Sequence, residues 1–246
     1  MSKPKSSYYR SYLLRIMKRW TEYALKFASY MPLPPKSIDY AIGASRYSHW
    51  VRKNNCNVIS NNDRTMLYEY INNVILKNAP IDYLEFGVAK GTSLKYWLGL
   101  NKNESSRFIG FDCFEGLPED WDLPFSGCRP KGTCDTGGIL PQISDPRIRL
   151  VPGFFQETLT KFLTEFAPKN RLVIHCDADL YSSTLYVLSN INEIIEPGTI
   201  IIFDEFSTFN HEFQAFSDFT SAFMRKYRPL AAVGSTYMQI ALEIEE

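Results

Sequence analysis

The sequence predicts an α/β protein with a mostly parallel sheet and helices on both of its faces. Residues 172–176 and 199–203 are uninterrupted apolar runs, and the segment between them has apolar residues at helical spacing. Apolar strands separated by a helix are typical of a parallel sheet that is covered on both sides. Further strands are predicted at residues 81–86, 107–111 and 149–151.

Acidic residues follow both apolar runs. Asp177 and Asp179 come directly after the first run, and Asp204 and Glu205 come directly after the second. Ligands of open α/β sheets bind beyond the carboxyl ends of the strands, and neighbouring strands lie about 4.8 Å apart. Carboxylates this close repel one another unless a cation or a proton lies among them, and oxygen ligands favour Mg²⁺, Ca²⁺ or Mn²⁺. The alternative is helix capping by Asp179 and solvation of the other acids.

A turn with two glycines follows the first strand of the predicted sheet. Gly87 and Gly91 allow the backbone to approach a ligand, and the helix that begins here offers free N–H groups. The turn lacks the G-x-G-x-x-G pattern of dinucleotide-binding proteins, which argues against a bound pyrophosphate. Glu85 suits a cationic ligand group, or else is a buried, hydrogen-bonded carboxylate without a ligand. Asp112, after the second strand, is suitably placed for ribose hydroxyls.

Residues 115–146 have no periodic pattern and contain many glycines and prolines. A loop of this length within one domain is usually a functional segment or a disordered one. Its side chains Trp121, Phe125, Arg129 and Lys131 predict a lid that contacts the substrate.

Residues 1–35 form a basic amphipathic extension, which precedes the predicted catalytic domain at residues 36–246. The apolar stripe of its helix comprises Tyr9, Tyr12, Leu13, Ile16, Trp20, Tyr23, Ala24 and Phe27. We expect this stripe to pack on the domain or across a dimer, since long apolar stripes are usually buried. Peripheral contact with an anionic membrane surface is the alternative.

The composition limits the partners and the compartment. Lys+Arg and Asp+Glu both number 27, so no overall positive field favours nucleic acid. The five cysteines have no zinc-like spacing, and two of them lie in apolar strand patterns, as reduced buried thiols do. No apolar run is long enough to span a membrane, and the start lacks a signal-peptide pattern. We therefore expect a cytoplasmic homo-oligomer.

Several motifs together resemble those of the macrocin O-methyltransferase (TylF-type) family of S-adenosylmethionine-dependent enzymes. The resemblance covers about residues 83–206 in the right order. It is carried by LEFG at 84–87, GTSL at 91–94, GFDCFEGLPEDW at 110–121, DTGG at 135–138, DADLYSST at 177–184, PG at 197–198 and DE at 204–205.

The resemblance implies a Rossmann-like class I methyltransferase fold, with a mostly parallel seven-stranded sheet and a C-terminal antiparallel strand. Two final strand candidates, residues 230–233 and 237–244, form the hairpin-like ending that this fold requires. The implied cofactor-binding residues are Glu85, Gly87, Gly91, Thr92, Ser93, Asp112, Phe114 and Asp177.

The resemblance also assigns roles to the acids. Asp177, Asp204 and Glu205 would bind Mg²⁺ or another hard divalent cation, and Asp179 would be the general base. Glu205 departs from the family, which usually has a second aspartate there. His175 and His211 are rival bases; His175 lies within an apolar strand and is expected to be structural.

The implied function is metal-dependent O-methylation of a hydroxyl on a sugar or other small diol, such as a glycan, a nucleotide sugar or a glycosylated natural product. Two alternatives stay open. One is a catalytically silent binding protein on the same fold. The other is an NAD-dependent oxidoreductase, which the glycine spacing and the hairpin-like ending disfavour.

Overall fold

Ten strands and seven α-helices are present in a computed structural model of the chain, which describes residues 6–30, 36–59, 63–123 and 127–246. The strands are β1 Asn57–Ile59, β2 Ile81–Phe86, β3 Arg107–Asp112, β4 Trp121–Leu123, β5 Gly127–Arg129, β6 Ile148–Pro152, β7 Arg171–Cys176, β8 Ile200–Phe203, β9 Tyr227–Val233 and β10 Ile240–Ile244. The helices are α1 Ser6–Ser29, α2 Lys36–Lys53, α3 Arg64–Tyr70, α4 Thr92–Leu100, α5 Phe155–Glu165, α6 Tyr181–Asn190 and α7 Glu212–Ala222.

Eight strands form the main sheet, in the order β1-β9-β10-β8-β7-β2-β3-β6. Strand β10 is antiparallel to both of its neighbours, and the other pairs are parallel. This arrangement confirms the predicted α/β class with its C-terminal antiparallel strand. The strand number differs from the expected seven, because β1 adds to the edge beside β9. A three-residue edge strand with exposed residues carries no apolar pattern that predicts it.

The central strands β2, β7 and β8 are buried along their whole length except for Arg171 at the start of β7. Their side chains point alternately into two apolar clusters, one on each face of the sheet. Ile174 of β7 lies in register with Leu84 of β2 and with Ile201 of β8. Truncation of such a fully buried isoleucine to alanine typically costs about 2–5 kcal/mol of unfolding free energy. The rigid centre of the sheet therefore fixes the turns at its carboxyl edge.

The polar stretch around residues 45–50 carries no helical prediction, but residues 36–53 form α2, of which only a narrow stripe is buried. The spacing of Phe213, Phe216, Phe223 and Tyr227 predicts a helix from about residue 211 to 227, but this helix ends at Ala222 and Tyr227 begins β9. The Tyr227 ring still packs against the same face, because its centroid lies 4.7 Å from that of Phe216 across the element boundary. The last strand begins at Ile240 instead of residue 237.

Asp63, directly before apolar residues at helical spacing, predicts a helix cap, and this is confirmed because its carboxylate accepts a hydrogen bond from the Thr65 N–H at 2.9 Å at the start of α3. The helix continues into a π-helical turn, Ile71–Ile75. The cap fixes the start of α3, where Arg64 projects its side chain toward the carboxyl edge of the sheet.

The chain divides into two units, Met1–Asp39 and Tyr40–Glu246. The first unit contains α1, in which Leu13, Trp20 and Phe27 are exposed. The side chains of Tyr9 and Tyr12, and residues 31–35, lie outside the described part of the chain. Burial of this stripe stays a prediction. No helix within the described ranges is long and apolar enough to cross a membrane.

Candidate functional site

A cavity of about 440 Å³ lies beyond the carboxyl ends of β2, β3 and β7. Its walls come from the glycine turn, the turn after β7, the loop after β3 and the start of α5. Six of the predicted site residues line it, namely Gly87, Thr92, Ser93, Asp112, Asp177 and Asp179. Of the four predicted acids, Asp177 and Asp179 line the cavity, whereas Asp204 and Glu205 do not.

Both glycines of the turn are required by neighbouring protein atoms. Gly87 has a φ of 99°, and a Cβ there would lie 1.7 Å from the carbonyl oxygen of Asp177. Gly91 has a φ of 73°, and its Cβ would lie 3.0 Å from Pro141. The approach of a ligand to this turn stays a prediction, and the two positions also give room to the end of β7 and to the loop. Gly91 supplies no side chain to cap α4, and Thr92 and Ser93 of its first turn line the cavity.

Glu85 lies beneath the cavity and not on its wall. Its carboxylate accepts hydrogen bonds from the hydroxyls of Ser93 and Tyr83, each at 2.7 Å, and the residue is completely buried. This geometry matches the alternative interpretation of a buried, hydrogen-bonded carboxylate. Any influence of Glu85 on a ligand would pass through Ser93, whose side chain it orients.

Asp112 lines the cavity at the end of β3 and accepts three backbone hydrogen bonds. Oδ2 accepts from the N–H groups of Val88 and Ala89 at 2.8 and 2.7 Å, and Oδ1 accepts from that of Phe114 at 2.6 Å. The carboxylate thereby ties the glycine turn to the loop after β3. A carboxylate has about four lone-pair sites, so capacity remains for a hydroxyl in the cavity.

The loop at residues 115–146 covers one side of the cavity through Gly116, Leu117, Pro118, Cys134, Asp135 and Thr136. Phe114, a predicted cofactor residue, is buried and does not line the cavity. Its carbonyl oxygen accepts hydrogen bonds from the N–H groups of Thr136 and Gly138, so Phe114 ties the start of this loop to residues 136–138. Phe125 lies outside the described residues. Opening and closing of the loop stays a prediction.

A small hairpin, β4 and β5, lies within this loop and packs on His211. Trp121 is buried against the His211 ring, and the Arg129 guanidinium stacks on Trp121 at 4.8 Å. Nε2 of His211 bonds the Asp122 carbonyl at 2.9 Å, and Nδ1 accepts from the Tyr181 N–H at 3.3 Å. Engagement of both ring nitrogens favours a structural role of His211 over that of a base.

Asp177 and Asp204 converge at the ends of β7 and β8, and Arg64 of α3 contacts both. Nη1 of Arg64 donates to Oδ2 of Asp204 at 2.8 Å and lies 3.8 Å from Oδ2 of Asp177. Burial, followed by the charges of Asp204, Asp179 and Glu85, raises the pKa of Asp177 well above its usual range, although Arg64 opposes this shift. Sequence analysis missed Arg64, because it is distant along the chain and no motif marks it.

Asp179 and Glu205 extend the acidic cluster. Burial, followed by the charges of Glu205 and Asp204, raises the pKa of Asp179 to about 7, against the influence of Arg129. Burial and Asp204 likewise raise the pKa of Glu205. Asp179 also has a φ of 59°, a left-handed conformation that is uncommon outside glycine. A carboxyl group that titrates near neutrality, on a strained turn in a cavity, is a candidate acid–base residue.

The ligand atoms of His175, Asp177 and Asp204 lie within 4.8 Å of one another. His175 is nevertheless engaged on both sides: Nδ1 lies 2.7 Å from the Tyr83 hydroxyl and Nε2 lies 3.4 Å from the Tyr68 hydroxyl. This burial between two tyrosines confirms the expected structural role. Tyr83 stands two residues before Glu85 on the same face of β2. This spacing could have predicted the contact between the Tyr83 hydroxyl and the Glu85 carboxylate.

Glu212 is a buried acid that sequence analysis missed. One oxygen accepts from the Glu205 N–H at 2.9 Å, and the other accepts no hydrogen bond from the described residues. Burial, with the charges of Asp177 and Asp179, raises the pKa of Glu212 well above its usual range. Glu212 therefore shapes the turn that carries Glu205.

Comparison with known proteins agrees with this geometry. The family model of macrocin O-methyltransferase (TylF) matches residues 141–236. A 4'-O-methyltransferase of 8-demethyl-8-(2,3-dimethoxy-alpha-L-rhamnosyl)-tetracenomycin-C from Streptomyces olivaceus is 29% identical over 154 residues, which cover 56% of this chain and 57% of that protein. The demethyldecarbamoylnovobiocin O-methyltransferase of Streptomyces niveus is 26% identical over 154 residues, covering 55% and 56%. The chain thus matches little more than half the length of these relatives.

Two solved structures are similar to most of the chain. The O-methyltransferase NovP has 20% identity and a TM-score of 0.56, with 74% of this chain and 80% of that chain covered. The calicheamicin methyltransferase CalS11 has 20% identity and a TM-score of 0.52, with 92% and 91% covered. The chain therefore has the Rossmann-like fold of class I methyltransferases, and its predicted resemblance to the macrocin O-methyltransferase (TylF) family is confirmed.

Proposed function

We propose that this chain is an S-adenosylmethionine-dependent O-methyltransferase that acts on a hydroxyl of a sugar or other small diol, with the help of a hard divalent cation. One observation carries the proposal. A single cavity is bordered by Ser93 and Asp112 on one side and by Asp177 and Asp179 on the other. A methyl donor and an acceptor hydroxyl can therefore meet between a cofactor-type turn and an acid–base residue.

The cofactor side of the cavity suits S-adenosylmethionine, which supplies a methyl group already activated on a sulfonium sulfur. Asp112 accepts from a ribose hydroxyl with its remaining capacity. Ser93 and the first turn of α4 bind the methionine portion, where free N–H groups at a helix start favour a carboxylate. Gly87 and Thr92 complete this wall. Glu85, Gly91 and Phe114 support the wall from behind.

Asp179 is the general base of the proposed reaction. As the acceptor oxygen forms its bond to the methyl carbon, the carbon–sulfur bond breaks and its electron pair stays on sulfur. The Asp179 carboxylate takes the hydroxyl proton, so charge balances across the step. Burial and the neighbouring acids raise the pKa of Asp179 to about 7 in the cation-free site, and a cation bound to those acids would shift it back toward its usual range, where the carboxylate is ionised and can accept the proton. The walls of the cavity hold the two reactants in line.

The acids fit a hard divalent cation such as Mg²⁺. Asp177 and Asp204 offer oxygen ligands, and the raised pKa of Asp177 indicates that Arg64 compensates the negative charge of this pair only in part. Glu205 follows directly and is the third proposed ligand. When bound, such a cation lowers the pKa of a coordinated hydroxyl and holds neighbouring oxygens of a diol.

The proposed acceptor class is supported by the relatives. One acts, by its description, at a 4'-oxygen in a rhamnosyl-tetracenomycin series, and another acts on a novobiocin precursor. We extend to this chain only their chemical class, a hydroxyl on a sugar or on a glycosylated compound.

The test is a methyl-transfer assay with isotopically labelled S-adenosylmethionine and a panel of nucleotide sugars, glycosides and glycan fragments. We expect label in at least one acceptor, loss of that label in EDTA and recovery with Mg²⁺. Calorimetry with S-adenosylhomocysteine and with NAD separates the alternatives. Binding of NAD without binding of S-adenosylhomocysteine would overturn the proposal in favour of an oxidoreductase.

A further inference from the structure

Arg64 lies where a cation would bind. Its Nη1 atom faces Oδ2 of Asp204 at 2.8 Å and Oδ2 of Asp177 at 3.8 Å. These are two of the three carboxylates in the proposed cation site. We infer that Arg64 and a divalent cation compete for this carboxylate pair, so that Arg64 is the resident counter-charge of the cation-free site. The inference rests on the cation site of the proposed function.

Distances make joint occupancy unfavourable. Hard divalent cations lie about 2.0–2.6 Å from their oxygen ligands. A cation on Oδ2 of Asp204 would therefore lie at most roughly 5.5 Å from an unmoved Nη1 atom. Like charges at this separation in a partly buried site repel strongly, because little water screens them. The guanidinium must move away when the cation binds.

Arg64 cannot leave the site by losing its proton. Burial alone would lower the pKa of its guanidinium, but the charges of Asp204, Tyr68 and Asp177 outweigh burial and raise this pKa. An arginine side chain stays charged in proteins in any case. Release of the carboxylates therefore requires movement of the side chain and not a change of protonation.

The position of Arg64 permits this movement. Arg64 is the first residue of α3, and its side chain is 34% exposed at the cavity. The helix cap uses the Asp63 carboxylate and the Thr65 N–H, so it does not depend on the guanidinium. The side chain can turn toward solvent while α3 stays in place. A divalent cation can thus replace the Arg64 guanidinium at the carboxylates without refolding of α3.

Calorimetric titration of the full chain with Mn²⁺ alone tests the inference. We compare wild type, Arg64→Met and Arg64→Lys, with Arg52→Met as a control of equal charge loss at an exposed position. We expect Arg64→Met to bind Mn²⁺ at least tenfold more tightly than wild type, because the competitor is gone. Arg64→Lys should lie between them, and Arg52→Met should match wild type.

Each other outcome has a defined meaning. Equal or weaker Mn²⁺ binding by a folded Arg64→Met protein would overturn the competition but leave the cation site intact. No Mn²⁺ binding by any variant would overturn both the competition and the cation site. Methyl transfer by that same protein would still support the rest of the proposed function.

A second measurement uses the wild-type protein, so it does not depend on the folding of a variant. The Arg64 side-chain Nε–H resonance is assigned by its absence from the spectrum of Arg64→Lys. We expect this resonance to shift, and its exchange with water to accelerate, as Mg²⁺ is added. An unchanged resonance at saturating Mg²⁺ would show that Arg64 keeps its place, and would overturn the inference.

Discussion

The two sides of the cavity treat their carboxylates in opposite ways. On the cofactor side, Glu85 accepts from two hydroxyls and Asp112 accepts from three backbone N–H groups. On the acidic side, the carboxylates of Asp177, Asp179 and Glu205 accept no hydrogen bond from the described residues. The closest positive charge to Asp177 is Arg64 at 3.8 Å. Carboxylates on the cofactor side thus hold neighbouring groups in place by hydrogen bonds, whereas those on the acidic side are free to bind a proton or a cation.

The difference follows from hydrogen bonding. A buried carboxylate with several donors is stable in its charged form and holds the backbone around it. A carboxylate without donors binds a proton or a cation instead, as the raised pKa values of Asp177, Asp179 and Glu205 indicate. The comparison predicts that substitutions on the cofactor side damage the fold, whereas those on the acidic side damage chemistry.

The largest expected effect is on turnover. Asp179→Asn removes the proposed base, so we expect kcat to fall by a factor on the order of 10² to 10⁴, the usual worth of general base catalysis. The cation should still bind, since Asp177 and Asp204 remain. Rates of acceptor methylation are compared with those of Glu104→Gln, an exposed control that should be unaffected. Wild-type turnover by Asp179→Asn would remove Asp179 from the mechanism.

The next effect is on stability, and it separates the two sides directly. Glu85→Ala leaves the buried Ser93 hydroxyl without its acceptor, whereas the Tyr83 hydroxyl keeps Nδ1 of His175 as a partner at 2.7 Å. An unsatisfied buried group costs about 1–3 kcal/mol, so we expect a loss of about 1–3 kcal/mol of unfolding free energy. Urea denaturation measures it. A Glu85→Ala protein as stable as wild type would mean that the hydrogen bonds of Glu85 do not stabilise the fold.

How far the sequence predicts these features depends on whether they are local. The apolar runs predict β7 and β8, and the acids that follow them meet at one edge because parallel strands end together. Arg64 and Glu212 were not predictable in this way, because their contacts with Asp204 and Glu205 arise only from tertiary packing. The glycine pattern does not reveal that Gly87 and Gly91 also make room for the end of β7 and for Pro141, because the spacing of small residues does not show which atoms lie beside them.

A smaller change in unfolding free energy, a stabilisation instead of a loss, is expected on the acidic side. Asp177→Asn removes a charge that burial and the neighbouring acids Asp204 and Asp179 disfavour. In the presence of EDTA we expect the substitution to stabilise the protein by about 1 kcal/mol, which corresponds to about 2–4 °C in melting temperature for a chain of this size. With saturating Mg²⁺ the order should reverse, because wild type then gains binding energy that the variant lacks. Destabilisation by Asp177→Asn in EDTA would contradict the comparison.

An effect of about the same size is expected in the pH dependence of the cation-free protein. The pKa of Asp179 is about 7 in the folded chain, against 3.8 for an unperturbed aspartate. Between these two values the folded state holds a proton that the unfolded state has released, so the unfolding free energy falls as the pH rises through this window. Solvent in the cavity screens the charges, and we therefore expect a decrease of only about 2–4 °C in melting temperature from pH 5 to pH 8.

Asp179→Asn should weaken this decrease, because its amide does not titrate. Added Mg²⁺ should weaken it as well, since a cation compensates the charges that otherwise appear as the pH rises. A melting temperature that rises steadily over this range in EDTA would show that the acids have compensating donors after all, and the contrast between the two sides would disappear.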